Sequence, residues 1–173
     1  MYLKKDKKIQ PFIHGGSQER NMRGGTENVY GIIGLAKALE IAYRDMNVHQ
    51  LHIQQLKKHM IRRLQESLPG ISFHGDSANP DKSLYTILNV SLPESDQNGM
   101  LLFSLDLKGI SASGGSACSS GASMGSHVLS ALYPDSTRGA VRFSFSKYNT
   151  LEEADYTVEQ LADILKVKEM GTP

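Results

Sequence analysis

Hydrophobic residues recur every three to four positions in three stretches of the chain. The first begins at Val29, the second ends at Pro69-Gly70, and the third follows the capping-box sequence 150–153. This spacing predicts three amphipathic helices. Lys57 falls on the predicted polar side of the second. The apolar positions are Ile32, Ile33, Ala36, Leu39 and Ala42, then Ile53, Leu56, Met60 and Leu64, then Ala154, Val158, Leu161 and Leu165.

Strand-like patterns lie between the second and third helical stretches. Residues 84–92 are apolar on much of both faces, which is typical of a strand inside a sheet. Residues 140–146 alternate, with Val141 and Phe143 on one face and Arg142 on the other. The order of elements predicts an α/β fold in which helices pack against a mixed sheet. Shorter patterns predict strands at 71–73 and 110–113 and a helix at 100–107.

Composition and charge exclude several classes of protein. The 173 residues include 19 Lys plus Arg against 18 Asp plus Glu, a formal net charge of +1. This balance argues against a basic nucleic-acid-binding surface and against a polybasic membrane anchor. The sequence has no apolar run approaching the roughly 18 residues of a membrane span, and its start lacks the apolar core of a signal peptide. We therefore expect a cytoplasmic protein with no nucleic-acid or membrane partner.

The single cysteine, Cys118, excludes an intramolecular disulfide and a cysteine-cluster metal site. It lies in segment 109–125, which holds five glycines and six serines and is predicted to be a mobile loop. A free cysteine is most often a buried small hydrophobe. No apolar periodicity surrounds this one, and a thiol on a flexible tether suits a nucleophile that receives a group at one place and delivers it at another.

Two further places have the residues for anion binding, each with a simpler alternative. The turn Arg23-Gly24-Gly25-Thr26 precedes a helix and suits a phosphate. A simpler interpretation is helix capping, for which Thr26 and Asn28 are both suitable. Arg142 suits a bidentate clamp on a substrate carboxylate, or else a solvated strand face. His49, His52 and His59 share a predicted helix with no carboxylate placed to complete a metal site, so we interpret them as a polar face.

Four segments together resemble the C-terminal part of cysteine desulfurases of the NifS and IscS type. These are pyridoxal-phosphate (PLP) enzymes of aminotransferase class V with the type I fold. The resemblance spans nearly the whole chain, in the family's order and with similar separations. The segments are 14–28, with His-Gly-Gly-Ser-Gln-Glu-Arg and Arg-Gly-Gly-Thr-Glu-Asn, 114–120, with Gly-Gly-Ser-Ala-Cys-Ser-Ser, 126–132 and 141–144.

The resemblance implies a role for each candidate residue. Cys118 matches the loop cysteine that takes sulfur from L-cysteine as a persulfide and leaves alanine. Arg142 matches the arginine that holds the substrate carboxylate, and Thr26 matches the threonine that reaches the PLP phosphate of the neighbouring subunit. The implied partners are an iron-sulfur scaffold protein or another sulfur acceptor and a second copy in a homodimer. No metal is implied in the resting enzyme.

The resemblance also implies a division of the chain. Residues 1–28 match the end of the large PLP-binding domain with its interface loop, and residues 29–173 match the small domain carrying the cysteine loop 109–125. The lysine that binds PLP would precede residue 1, so we expect a fragment that is inactive alone. A selenocysteine lyase, another class V enzyme and a cofactor-free sulfur-carrier or interaction module remain alternatives.

Overall fold

A computed structural model describes residues 4–7, 9–114 and 126–166. None of the helices in these ranges has the length and hydropathy needed to cross a membrane. The elements are α1 (Gln18–Asn21), α2 (Val29–Ser67), β1 (Ser72–Phe73), β2 (Ile87–Leu92), a 3-10 turn (Asp96–Met100), α3 (Leu101–Leu107), α4 (His127–Leu132), β3 (Gly139–Ser144) and α5 (Leu151–Lys166).

The chain divides into two compact units, residues 1–46 and residues 47–173. The first two predicted helical stretches form one continuous helix, α2, whose residues fall in both units. No glycine or proline interrupts the sequence between the two stretches, so nothing stops the helix there. The predicted domain boundary after residue 28 coincides with the start of α2 and stays a prediction.

The described strands form one antiparallel sheet in the order β1-β2-β3. The central position of β2 confirms that this stretch lies inside a sheet, although the strand begins at Ile87. The predicted strand at 110–113 contributes a single bridge, from Ser113 to Arg142, because the glycine-rich sequence that follows has low strand propensity. The expected α/β fold class, with helices packed on a sheet, is confirmed. The sheet was predicted to be mixed, whereas its described strands all pair antiparallel.

A hydrophobic core covers one face of this sheet in the second unit. It joins the second half of α2 and the inner side of α5 to alternate residues of β2 and β3. The alternation predicted for β3 is confirmed, since Val141 and Phe143 are buried while Arg142 is half-buried on the other face. The fully buried side chains are Leu56, Met60, Leu64, Leu88, Leu92, Leu101, Leu105, Leu161, Val90, Val141 and Val158.

The prediction that Lys57 lies on the polar side of its helix is wrong. Its side chain is buried, and its ammonium donates to the Ser83 hydroxyl at 2.9 Å and to the Leu84 carbonyl at 2.8 Å. Burial lowers the pKa of Lys57. The loop before β2 therefore covers this position, a contact between residues 26 positions apart that helical periodicity does not encode.

Candidate active site

The side chain of Arg142 lies on the sheet face opposite the core. No side-chain hydrogen bond or ion pair joins its guanidinium to any residue in the described ranges, and its Nε is sealed from solvent without a partner there. Leaving a buried donor unpaired costs about 1–3 kcal/mol. Such a group in a native structure calls for an explanation, and a ligand that accepts from it is one.

The backbone pairing aligns four polar residues in a row across the sheet. Asn89 is opposite Arg142, Ser113 bridges Arg142 from the other side, and the backbone N–H of His74 donates to the Asn89 carbonyl at 3.0 Å. Because directly opposite residues of antiparallel strands share a face, the side chains of Asn89, Arg142 and Ser113 lie on the face away from the core. These residues therefore form a polar strip on the sheet, and the hydrophobic core packs against the opposite face of the same sheet.

A small cavity of about 50 Å³ lies against this strip. Arg142, Asn89 and Ser113 contribute to its wall, and so do Gly114 and Ser126, the described residues on either side of segment 115–125. Cys118 lies outside the described residues. It follows Ser113 by five residues in the sequence.

A second cavity of about 470 Å³ adjoins the strip and has His74, Tyr133 and Arg138 in its wall. The rings of His74 and Tyr133 lie 5.5 Å apart. Burial, and to a smaller extent the charge of Arg138, lowers the pKa of His74, so its imidazole is neutral at pH 7. Arg138 is held by its Nε and Nη2, which donate to Ser91, to the Gly70 carbonyl and to Ser72.

The predicted phosphate turn lies in the first unit and is held by close backbone contact. Gly24 donates to the Ile13 carbonyl at 2.9 Å. A Cβ on Gly24 would lie 2.5 Å from the Gly15 nitrogen, a distance that real side chains do not adopt. Gly25 has a φ of 99°, in the left-handed region that favours glycine. Glycine is therefore required at two successive positions of this turn.

Arg23 fastens the same turn from outside. Its guanidinium donates to the Gly25 carbonyl at 2.8 Å, reaches the carbonyls of Gly24 and Thr26, and pairs with the Glu27 carboxylate. The Arg23 guanidinium therefore stabilises the turn, and we do not expect it to bind a phosphate. The exposed Thr26 forms no hydrogen bond to a described residue through its N–H or its hydroxyl, so two adjacent donors are open for one anion. The other predicted cap is Asn28, whose side-chain Oδ1 accepts a hydrogen bond from the Gly31 N–H at 3.0 Å.

Two of the three histidines of α2, His52 and His59, form hydrogen bonds within the second unit. His52 contacts the Asn149 carbonyl at 2.9 Å, and His59 contacts the Asp155 carboxylate at 2.8 Å. The residues of the described ranges include no group of three or more His, Cys, Asp or Glu side chains suited to a metal ion.

Sequence reasoning missed Asn89 as a component of the site. The sequence offered one sign of a role for Asn89, a carboxamide in the middle of an apolar strand, where asparagine is depleted. That Arg142 is its neighbour across the sheet depended on the strand register, which the sequence pattern left open.

Comparison with known proteins identifies a family that the chain resembles. The family model for aminotransferase class V matches residues 2–157. A cysteine desulfurase IscS of Dictyoglomus turgidum is 39% identical over 168 residues, which are 96% of this chain and 42% of that protein. A cysteine desulfurase IscS of Clostridium botulinum is 37% identical over 176 residues, which cover 100% of this chain and 44% of that protein.

The solved structures include a NifS-like protein with the same arrangement. It superposes with a TM-score of 0.75 at 35% identity and covers 95% of this chain and 41% of its own. A NifS-like protein of Rickettsia africae superposes with a TM-score of 0.74 at 26% identity, covering 93% of this chain and 41% of its own. The chain thus spans about two-fifths of the length of the relatives it matches.

Proposed function

The chain belongs to the aminotransferase class V family, and on this premise we propose that it is the C-terminal part of a PLP-dependent cysteine desulfurase. One observation carries the proposal. The uncommitted guanidinium of Arg142 lies in the wall of a cavity that also includes Gly114 and Ser126, on either side of the segment with Cys118. Arg142 thus offers a carboxylate-binding group in this wall, and the sequence has a thiol in the segment between Gly114 and Ser126, and a reaction on L-cysteine requires both groups.

Arg142 binds the α-carboxylate of L-cysteine in this proposal. A planar guanidinium offers two parallel N–H donors to a carboxylate, and charge-assisted bonds of this kind are roughly twice as strong as neutral ones. The strand that carries Arg142 is backed by Val141 and Phe143 in the core, so the group is held in place before the substrate arrives. This reduces the entropy lost on binding.

Cys118 accepts the sulfur. As a thiolate it attacks the sulfur of the bound substrate, a sulfur–sulfur bond forms, and the bond between that sulfur and the substrate β-carbon breaks. The electron pair stays on the carbon, where a proton completes the methyl group, so L-cysteine and thiol become L-alanine and persulfide. Bound PLP supplies the electron withdrawal that makes this carbon a leaving group, chemistry that no side chain provides.

Thr26 contributes the phosphate contact to PLP bound in the neighbouring subunit of a homodimer. Its unused hydroxyl and N–H support this role, since both are donors and a phosphate oxygen accepts from each. The chain then passes its persulfide to an iron-sulfur scaffold protein or another sulfur acceptor, and a cytoplasmic location stays a prediction. We propose that chain 1–173 is inactive by itself.

The test compares chain 1–173 with a polypeptide extended at its N-terminus to the length of the relatives. Both are incubated with PLP and L-cysteine, alanine is quantified, and Cys118 is examined by mass spectrometry after alkylation. We expect alanine in step with a gain of one sulfur atom on Cys118 in the extended protein, and neither product from chain 1–173.

Cys118→Ser is the matched variant for the extended protein. We expect it to retain PLP and to lose alanine production. Alanine formed by chain 1–173, or persulfide on the extended protein without alanine, would contradict the proposal.

A further inference from the structure

Asn89 and Arg142 form the closely spaced kind of antiparallel pair. The carbonyl of Asn89 accepts from the β1 side, at His74, and the N–H and carbonyl of Arg142 both bond to Ser113 on the other side. The ladder bonds of these two residues therefore point away from each other. In such a pair the Cα atoms are about 4.5 Å apart and the side chains are closer than in the hydrogen-bonded kind.

The side-chain amide of Asn89, like the guanidinium of Arg142, has no hydrogen-bond partner among the described residues. Its side chain is half-buried in the central strand of the sheet, yet it forms no hydrogen bond to another residue in the described ranges. The backbone of Asn89, in contrast, is fully used by His74 and Ser77. Asparagine is depleted in strands, so its place in the middle of β2 is unusual. With no partner among the described residues, the amide is free to bind a group that enters the neighbouring cavity.

Both side chains contribute to the wall of the same cavity of about 50 Å³. A single water needs roughly 10–15 Å³ of such space, so the cavity accepts a group of a few heavy atoms and is far too small for a cofactor ring. A carboxylate has this size. Its two oxygens have about four acceptor sites, more than one guanidinium uses, so a neighbouring N–H donor improves the fit.

We propose that Asn89 is a second ligand of the substrate carboxylate, donating from Nδ2 to an oxygen that Arg142 also holds. This inference rests on the proposed function, because it takes the carboxylate of L-cysteine as the ligand. Asn89 acts by binding the substrate and not by building the sheet. A substitution that shortens its side chain therefore lowers affinity while the fold remains.

The experiment measures carboxylate binding by chain 1–173 directly, without the reaction. L-alanine, which has the substrate carboxylate and no thiol, is titrated at constant ionic strength while ¹H–¹⁵N NMR follows the backbone amides of Ser113 and Val141, both in the cavity wall. L-alaninamide is the ligand control, since it has the amine and lacks the carboxylate. We expect a saturable shift with L-alanine and none with L-alaninamide.

Three variants isolate Asn89. Asn89→Ala is expected to weaken L-alanine binding about tenfold, the effect of losing one hydrogen bond to a charged group. Asn89→Asp keeps the side-chain shape, adds a charge that repels the ligand and pairs with Arg142, and is expected to abolish the shift. Ser144→Ala is the control, because Ser144 shares the sheet face and is opposite Ile87, outside this cavity. We expect it to bind as the unsubstituted chain does.

Each outcome decides a separate point. Unchanged affinity in Asn89→Ala and Asn89→Asp overturns the role of Asn89. If Arg142→Ala then abolishes the shift, the carboxylate clamp of the proposed function stands without Asn89. If the unsubstituted chain shows no shift specific for the carboxylate, both the clamp and the second ligand are overturned.

Discussion

Two leucines of the same helix have opposite surroundings. Leu64 of α2 is fully buried in the core of the second unit, whereas Leu39 is 55% exposed in the first. The second unit holds a contiguous hydrophobic core around its sheet. In the first, the backbone bond from Gly24 to Ile13 and the side-chain contacts of Arg23 hold the turn. One unit is stabilised by apolar burial, the other by local polar contacts.

The difference bears on how each unit presents its candidate residue. Arg142 is on a strand whose opposite face is buried, so its position is fixed by the packing of the whole unit. Thr26 is on a turn fixed by Arg23 and two glycines, with an apolar, exposed helix surface beyond it. Exposed apolar surface is typical of interaction sites, which agrees with the proposal that Thr26 acts in a dimer.

The largest expected effect on stability comes from Leu64→Ala in α2, with Leu39→Ala as its matched control. Leu64→Ala removes a fully buried side chain and is expected to lower the free energy of unfolding by about 3 kcal/mol. Leu39→Ala is expected to change it by less than about 0.5 kcal/mol, as for an exposed site. Urea unfolding of chain 1–173 measures both. Equal losses in the two variants would show that Leu39 is covered, and the contrast between the units would fail.

Gly24→Ala tests whether backbone contact holds the first unit. The new Cβ would meet the backbone of Gly15 and His14, and overpacking of this kind costs about 1–3 kcal/mol. We expect faster amide exchange at Gly24 with unchanged exchange in β2 and β3. Gly34→Ala, in α2 with no atom within 4 Å of the added Cβ, is the control and is expected to stabilise the helix by about 1 kcal/mol. Slower exchange at Gly24 in Gly24→Ala would refute the close approach.

The N-terminal caps of α5 and α2 allow the two units to be compared through smaller changes in stability. Thr150 and Glu153 form the predicted capping box at the start of α5, with bonds of 3.1 and 3.2 Å. Thr150→Ala is expected to lower the global free energy of unfolding by about 1 kcal/mol, because α5 belongs to the core. Asn28→Ala removes the cap of α2 and is expected to affect only its first turn, measured by amide exchange at Gly31. A global loss in Asn28→Ala would mean that the units unfold together.

The smallest expected effect is electrostatic and appears at acid pH. Asp155 of α5 accepts from His59 at 2.8 Å and from Arg63 at 2.7 Å, both on α2, and these bonds lower its pKa. A carboxylate with a lowered pKa stabilises the fold above its unfolded pKa of about 3.9, and this contribution is lost as pH falls through the lower, folded value.

We therefore expect Asp155→Asn to reduce stability at pH 6 and to flatten its loss below about pH 4. Thermal melts across this pH range measure the slope. Asp163→Asn, an exposed change on the same helix, is the control. An unaltered slope in Asp155→Asn would show that the contact between α2 and α5 contributes no pH dependence.

The sequence pattern predicted the elements whose cause is local. The capping box of α5 and the Asn28 cap depend on residues within three positions of each other. The alternation of β3 follows from its own side chains. Strand 110–113 and the polar position of Lys57 were predicted by the same rules and failed, since glycines weaken the first and a distant loop covers the second.

By itself, the sequence determined the identity of the candidate chemistry, with one thiol, one strand arginine and one glycine-rich turn, and the periodicity that builds most of the helices and strands. Only the tertiary structure decided that Asn89 is opposite Arg142, that the two residues flanking segment 115–125 contribute to the same cavity wall, and that α2 is buried in one half and exposed in the other. Periodicity reports which side of an element is apolar, because that depends on neighbours in the chain. Register and burial depend on contacts between residues far apart in sequence, which only folding brings together.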